Sequence, residues 1–217
     1  MLIASLKPRT MGGTTNSGLL AYALHRAGYP VACYDADDSQ QLFQWSLIAE
    51  DFPCKVHEAA TSDFARSVYP AMDPDAVNVV DVGHAENHPG VVDAVLEVAD
   101  CALVTFSPTS PDFARLTVPD KGTPLSKMIA RSAVLRTDGQ APPTAVLLNR
   151  CPAGSPDTRT YRQQLGELGW DVLSVTVPRK QALANAVNNT CEHPDRRGPF
   201  DELVTELGAK GRGWLPW

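Results

Sequence analysis

Short apolar runs alternate with amphipathic stretches along the whole chain. Leu2–Leu6 is an apolar run of strand length. Between Thr14 and Ala27, residues Leu20, Ala23, Leu24 and Ala27 share one helical face, and Gly28 supplies the stop. Val31–Tyr34 reads as a second strand, Gln40–Ala49 as a helix and Cys54–His57 as a short strand. A helix over Ser62–Tyr69 is ended by Pro70, and Ala76–Val82 is a strongly apolar strand that carries Asp81. Then come a helix at Val91–Val98 and a buried strand at Cys101–Phe106. Residues 110–136 hold one long helix or two, with Pro119 and Pro124 as the breaks. A strand at Thr144–Leu148 is followed by Asn149-Arg150, a helix at Thr158–Leu168 and a strand at Val172–Val177. Helices at Gln181–Val187 and Phe200–Leu207 close the set.

Strands that are apolar on both faces and alternate with helices predict an α/β fold. The expected form is a doubly wound, mostly parallel sheet covered by helices on each side. The pattern gives one domain over residues 1–208 and a C-terminal tail over 209–217. The tail ends Trp214-Leu215-Pro216-Trp217, which suits docking onto a surface or partner, or a frayed end.

Composition narrows this picture. Of 217 residues, 43% are hydrophobic, enough for a sizeable core. No apolar run approaches the roughly 20 residues of a membrane span. The first residues lack a basic leader region, so neither a secretory signal nor a membrane partner is expected. Cys33, Cys54, Cys101, Cys151 and Cys191 form no C-x-x-C pair and read as reduced thiols of a cytoplasmic protein. The net charge of −6 is uneven. Residues 1–108 carry 5 Lys and Arg against 14 Asp and Glu, and the remainder carries 14 against 11. The C-terminal half therefore has enough cations to meet a polyanion, or to form a mixed solvated surface.

The chemistry concentrates in Leu2–Asp37. A strand leads into the loop Lys7-Pro8-Arg9-Thr10-Met11-Gly12-Gly13-Thr14-Thr15, a helix follows, and the next strand ends in Asp35-Ala36-Asp37. That is the layout of a phosphate-binding nucleotide site. Glycines let the backbone wrap an anion, and the first turn of a helix offers unpaired N–H groups. Asp35, Asp37 and Asp81 lie at the C-terminal ends of predicted strands, on the same edge as the loop. There they can hold a Mg²⁺ water shell and orient an attacking water, with the Thr14 hydroxyl on the metal.

With these residues in place, the chain resembles the ParA/MinD family of partition and positioning ATPases. That family's deviant Walker A loop reads K-G-G-x-G-K-T-T. The resemblance is strongest to actinobacterial plasmid-type ParA proteins, where the loop reads L-K-P-G-T-G-K-T-T. Leu6-Lys7-Pro8 match its start, and Gly12, Thr14 and Thr15 its end. Val79-Val80-Asp81 resembles the switch strand, and His84-Ala85-Glu86-Asn87-His88-Pro89 its plasmid-type sequel. Leu147-Leu148-Asn149-Arg150 resembles the base-recognition strand, and Val177-Pro178-Arg179 the last sheet element.

The resemblance implies a homodimer that encloses two ATP molecules with Mg²⁺. Lys7 would reach across the interface to the partner's phosphates, and Asp37 would orient the hydrolytic water. Gly12, Gly13, Thr14 and Thr15 would cradle the phosphates. Thr14 would bind the metal directly and Asp81 through water. Asn149, with Arg150 and Pro178 beside it, would meet the base. The resemblance also implies non-specific DNA binding, stimulation by a centromere-binding partner of the ParB type, and a cytoplasmic protein able to associate with the nucleoid. Arg179-Lys180 and Arg196-Arg197 are the candidate DNA contacts, followed by Lys210 and Arg212.

The loop departs from the family pattern. Counting back from Gly28 puts Gly13 where the family has its phosphate-binding lysine, and Arg9 replaces the middle glycine. Met11 is an apparent insertion, and Arg9 or Lys7 is the nearest substitute for the lost charge. A charge-assisted hydrogen bond is worth about 1.5–3 kcal/mol, so triphosphate affinity should fall roughly ten- to a hundredfold or more. Two readings follow: a partition ATPase with slow hydrolysis, or a non-catalytic ParA-like regulatory or DNA-binding protein. A metabolic P-loop ligase is a third. His84 and His88 could ligate a metal if one helical turn joined them, but Pro89 and Gly90 argue against a regular helix there.

Overall fold

The computed structural model describes residues 1–9, 11–117, 124–187, 198–208 and 214–215. In chain order its elements begin β1 (Leu2–Leu6), α1 (Gly13–Arg26), β2 (Val31–Ala36), α2 (Gln41–Ile48), β3 (Val56–Glu58) and α3 (Phe64–Ser67). A 3-10 turn, Tyr69–Ala71, precedes β4 (Val77–Val82), α4 (Pro89–Val98) and β5 (Cys101–Phe106). Then follow α5 (Ser110–Thr117), α6 (Leu125–Ser132), β6 (Thr144–Cys151), α7 (Pro156–Glu167), β7 (Asp171–Pro178), α8 (Gln181–Ala184) and α9 (Pro199–Gly208).

The seven strands form one sheet in the order β3-β2-β4-β1-β5-β6-β7, and every pairing is parallel. Alternation along the strands feeds two separate cores. In β1, Leu2, Ala4 and Leu6 face one core while Ile3 faces the other. The Ile3 side is closed by α1, α2 and α9, through residues such as Leu20, Trp45 and Leu203. The opposite side is closed by α4, α6 and α7, through Val95, Met128 and Leu165. Each fully buried Leu or Val contributes about 1.5–3 kcal/mol, which is why these strands read as continuous apolar runs. The chain winds outward from β1 in both directions, so the C-terminal end of β1 is a switch point, where doubly wound sheets open a crevice.

Several sequence expectations need correction. The helix expected over Ser62–Tyr69 shortens to Phe64–Ser67, and Pro70 lies inside the 3-10 turn that follows. No helix joins His84 to His88, as Pro89 and Gly90 implied; the helix expected from Val91 instead starts at Pro89, where the missing N–H costs nothing. The strand expected to end at Leu148 continues to Cys151 and carries Asn149 and Arg150. The described residues of 110–136 form two helices, one of the two forms expected, and Gln181–Val187 keeps only its first turn. Within the tail, the Trp214 amide donates to the Leu207 carbonyl at 3.0 Å and Leu215 is buried on the α1 side.

Candidate nucleotide site

The site is built where β1, β4 and β2 end beneath α1. Ser5 and Asp35 are both register partners of Asp81, so three polar residues cross the sheet in one row on the α1 face. Gly12 caps α1 with φ +81°, a left-handed conformation that glycine takes without strain. The helix opens at Gly13 and runs 14 residues. Among the described residues, the amides of Gly13, Thr14 and Thr15 have no hydrogen-bond partner. They are the orphan donors of a helix N-terminus.

Asp81 gathers the surrounding polar groups. It is fully buried and accepts from Thr14 Oγ1 at 2.7 Å, from Ser17 Oγ at 2.9 Å and from Lys7 Nζ at 3.2 Å. Ser17 Oγ is also 2.8 Å from Ser5 Oγ. Lys7 is only 3% exposed, and its ammonium lies 3.6 Å from Asp37 as well. Its stem passes under the first turn of α1, where a Cβ on Gly13 would lie 2.3 Å from Cδ. Buried lysines are rare unless paired, and this one is paired twice.

The two remaining acids differ in environment. Asp35 is fully buried and accepts from the amides of Asp37 (3.1 Å) and Phe43 (2.9 Å), which fixes the turn from β2 into α2. Burial and the nearby Asp81 push its carboxyl up to about 6, against the pull of those amides. For Asp37, burial alone would raise the pKa. The Ser39 amide and hydroxyl, Lys7 and His84 together outweigh it and hold the carboxyl below its ordinary value. The Gly83 backbone rests against Asp37, where a Cβ would meet Cγ at 3.3 Å, and the Ala85 amide reaches the Lys7 carbonyl at 3.5 Å.

These residues do not fit a divalent cation as they stand. One oxygen of each carboxylate, Asp81 Oδ1 and Asp37 Oδ2, already faces the Lys7 ammonium, while Asp81 Oδ2 accepts from the Thr14 hydroxyl and Asp37 Oδ1 from Ser39.

The α1 N-terminus opens onto a cleft of about 710 Å³ at the ends of β5, β6 and β7. Gly12, Thr15 and Asn16 form one wall, Ser107 and Asp112 a second, and Asn149, Arg150, Pro178, Arg179 and Lys180 the far side. Arg150 has φ +54°, and the pairing of β6 with β7 shifts register between Leu148 and Cys151. This irregularity turns Asn149 toward the loop. The Asn149 amide donates to the Met11 carbonyl at 2.5 Å, and the bare Cα of Gly12 allows the approach. Ser107 Oγ is buried with no partner among the described residues, a group a polar ligand could satisfy.

No protein-family model matches the chain, and no curated sequence matches it significantly. Solved structures do match in shape. McdA from Cyanothece, solved as an ATP complex of a variant, superposes with a TM-score of 0.69 at 13% identity over 96% of each chain. A plasmid partition protein from Borrelia burgdorferi bound to AMPPNP gives 0.67 at 10% identity, covering 94% of this chain and 97% of its own. The MinD cell division protein of Aquifex aeolicus gives 0.64 at 14% identity, covering 100% and 98%.

The chain has the ParA/MinD fold.

On that fold, the structure brings Lys7, Thr14, Asp37 and Asp81 together at the loop, with Gly12 and Gly13 above them. Asn149, Arg150 and Pro178 line the cleft. Lys7 points into its own chain. Arg179 and Lys180 are exposed residues at the cleft, beside Pro178. Arg196, Arg197, Lys210, Arg212 and Cys191 lie outside the described residues. His88 pairs with Asp38 and Glu86 with Arg115, and no grouping of three metal-ligating side chains occurs among the described residues. Cys33 and Cys54 are free thiols with sulfurs 3.4 Å apart. No helix among the described residues is long and apolar enough to cross a membrane. Sequence reasoning missed Ser5, Ser17 and Ser107. The first two are polar residues inside an apolar strand and on the buried face of α1, a departure visible in the pattern.

Proposed function

We propose that the chain is a ParA-like protein that binds ATP in the cleft between α1 and the ends of β5–β7. It forms a homodimer and acts in plasmid or chromosome partition. One observation carries this reading: the start of α1, at Gly12, Thr15 and Asn16, opens onto a cleft of nucleotide size whose far side holds Asn149, Arg150 and Pro178. An anionic tail would rest on the amides of Gly13, Thr14 and Thr15. A base would lie against the ends of β6 and β7, and Ser107 would gain a partner.

Hydrolysis is slow in this reading. Asp37 is held by Ser39 and Lys7, so orienting a water requires it to leave an ion pair. The partition role includes non-specific binding to DNA, a centromere-binding partner of the ParB type, and a cytoplasmic, nucleoid-associated location. Support for a partner comes only by analogy: the Aquifex aeolicus MinD neighbour was also solved in complex with MinC. Arg179 and Lys180 remain candidate DNA contacts, and both also stand where they could meet a nucleotide.

The second reading, a ParA-like protein without turnover, is favoured by the same Asp37–Lys7 pair and by the absence of a side chain at Gly13. Calorimetry with ATP, light scattering for mass and phosphate-release assays distinguish them. ATP binding with a doubled mass and slow phosphate release supports the enzyme. Binding and dimerisation without release supports the second reading. No heat and no mass change at millimolar ATP rejects both.

A further inference from the structure

Divalent cations at phosphate sites are held by hard oxygen donors, carboxylates above all. Here the carboxylates at the α1 N-terminus are already engaged by a cation of the chain itself. Lys7 Nζ lies 3.2 Å from Asp81 and 3.6 Å from Asp37. The remaining contacts of Asp81 are the hydroxyls of Thr14 and Ser17. The arrangement depends on Gly13, because the Lys7 stem occupies the space that any side chain there would enter. The side chain is 4% exposed, so the charge is built into the fold and is not a passing surface contact. The ammonium donates to Asp81 and stands within ion-pair distance of Asp37.

We infer that the Lys7 ammonium takes the place of a divalent cation, so that nucleotide binds this chain without metal. The inference rests on the nucleotide-site reading and specifies how that site balances charge. Binding would draw on Lys7 from beneath and on the first-turn amides of α1 from the front. A metal ion would have to displace a buried ammonium to reach Asp81 Oδ1, and the Thr14 hydroxyl to reach Oδ2.

Two measurements on the metal-stripped full chain test this. In the first, Mn²⁺ is titrated without nucleotide and followed by electron paramagnetic resonance. Wild type should hold no Mn²⁺ at millimolar concentration. Lys7→Met, which keeps most of the stem and removes the charge, should bind it about tenfold more tightly or better. Wild-type Mn²⁺ binding as tight as that of Lys7→Met overturns the inference. In the second, ATP affinity is compared in EDTA and in Mg²⁺. Wild type should differ by no more than about twofold, and Lys7→Met should weaken about tenfold in EDTA with partial recovery in Mg²⁺. ATP binding by wild type that appears only with Mg²⁺ also overturns it. If Lys7→Met does not fold, the wild-type arms still decide. No ATP binding in either condition rejects the nucleotide reading, while the Mn²⁺ titration still decides whether Lys7 holds the cation's place.

Discussion

Lys7 and Gly13 form one steric unit: the glycine has no Cβ, and the lysine stem runs through the place where one would be. Alanine at position 13 should therefore destabilise the protein by about 1–3 kcal/mol, since overpacking outweighs the small gain in helix propensity. The penalty should largely vanish when Lys7 is also shortened to alanine. Urea denaturation of the two single variants and the double variant reads this coupling directly.

Restoring a lysine at Gly13 should fail in the wild-type background for the same reason. Combined with Lys7→Ala, it should recover a positive charge at the α1 N-terminus, and phosphate release should rise above that of wild type. Comparing release rates for the three variants checks this.

Gly18 faces Trp45 as Gly13 faces Lys7. A Cβ there would sit 2.1 Å from Cζ3 of a ring that is 2% exposed. Gly18→Ala should cost about 1–3 kcal/mol, with a lower thermal midpoint and altered Trp fluorescence. Loss of the close α1–α2 packing, away from the charged groups, is the expected cause.

Asp35 sets a pH dependence. Its folded pKa of about 6 lies above its ordinary value of 3.8, so the folded state holds this proton more tightly than the unfolded chain. Stability should fall as pH rises from about 4 to 6, by about 3 kcal/mol at 1.36 kcal/mol per unit, and then level off. Asp37 acts in the opposite sense. Its folded pKa is lowered, so its contribution is present above the ordinary value and is lost as pH falls through the folded one. Asp35→Asn should flatten the slope between pH 4 and 6 in denaturation experiments, whatever it does to the absolute stability.

Asn149→Ala removes the tie between β6 and the loop. It should cost about 1–2 kcal/mol, because the Met11 carbonyl loses its partner inside a buried site. Hydrogen exchange at Met11–Thr15 should rise, and ATP affinity should fall.

The fold was legible because its signals are periodic. Short, largely apolar runs such as Val77–Val82 and Cys101–Phe106 fit strands buried on both faces, and Gly28, at φ +89°, marks a helix stop. The boundaries were less legible where capping chemistry decides them. Pro89 keeps a helix out of His84–His88 and also starts α4, two residues before the expected Val91. The apolar run stops at Leu148, yet the strand continues irregularly through Asn149 to Cys151. Asp35, Asp37 and Asp81 could be placed at one sheet edge from spacing alone. Spacing could not reveal that Lys7 folds inward to meet two of them, since that depends on a side chain passing under a glycine five residues beyond Pro8.

The strand that carries Asp81 continues into Gly83, whose backbone touches Asp37, and into Ala85, whose amide reaches back to Lys7. A few residues later the same segment makes surface contacts, Glu86 with Arg115 and His88 with Asp38. A single short stretch of backbone thus joins that solvent-facing corner to the buried charges.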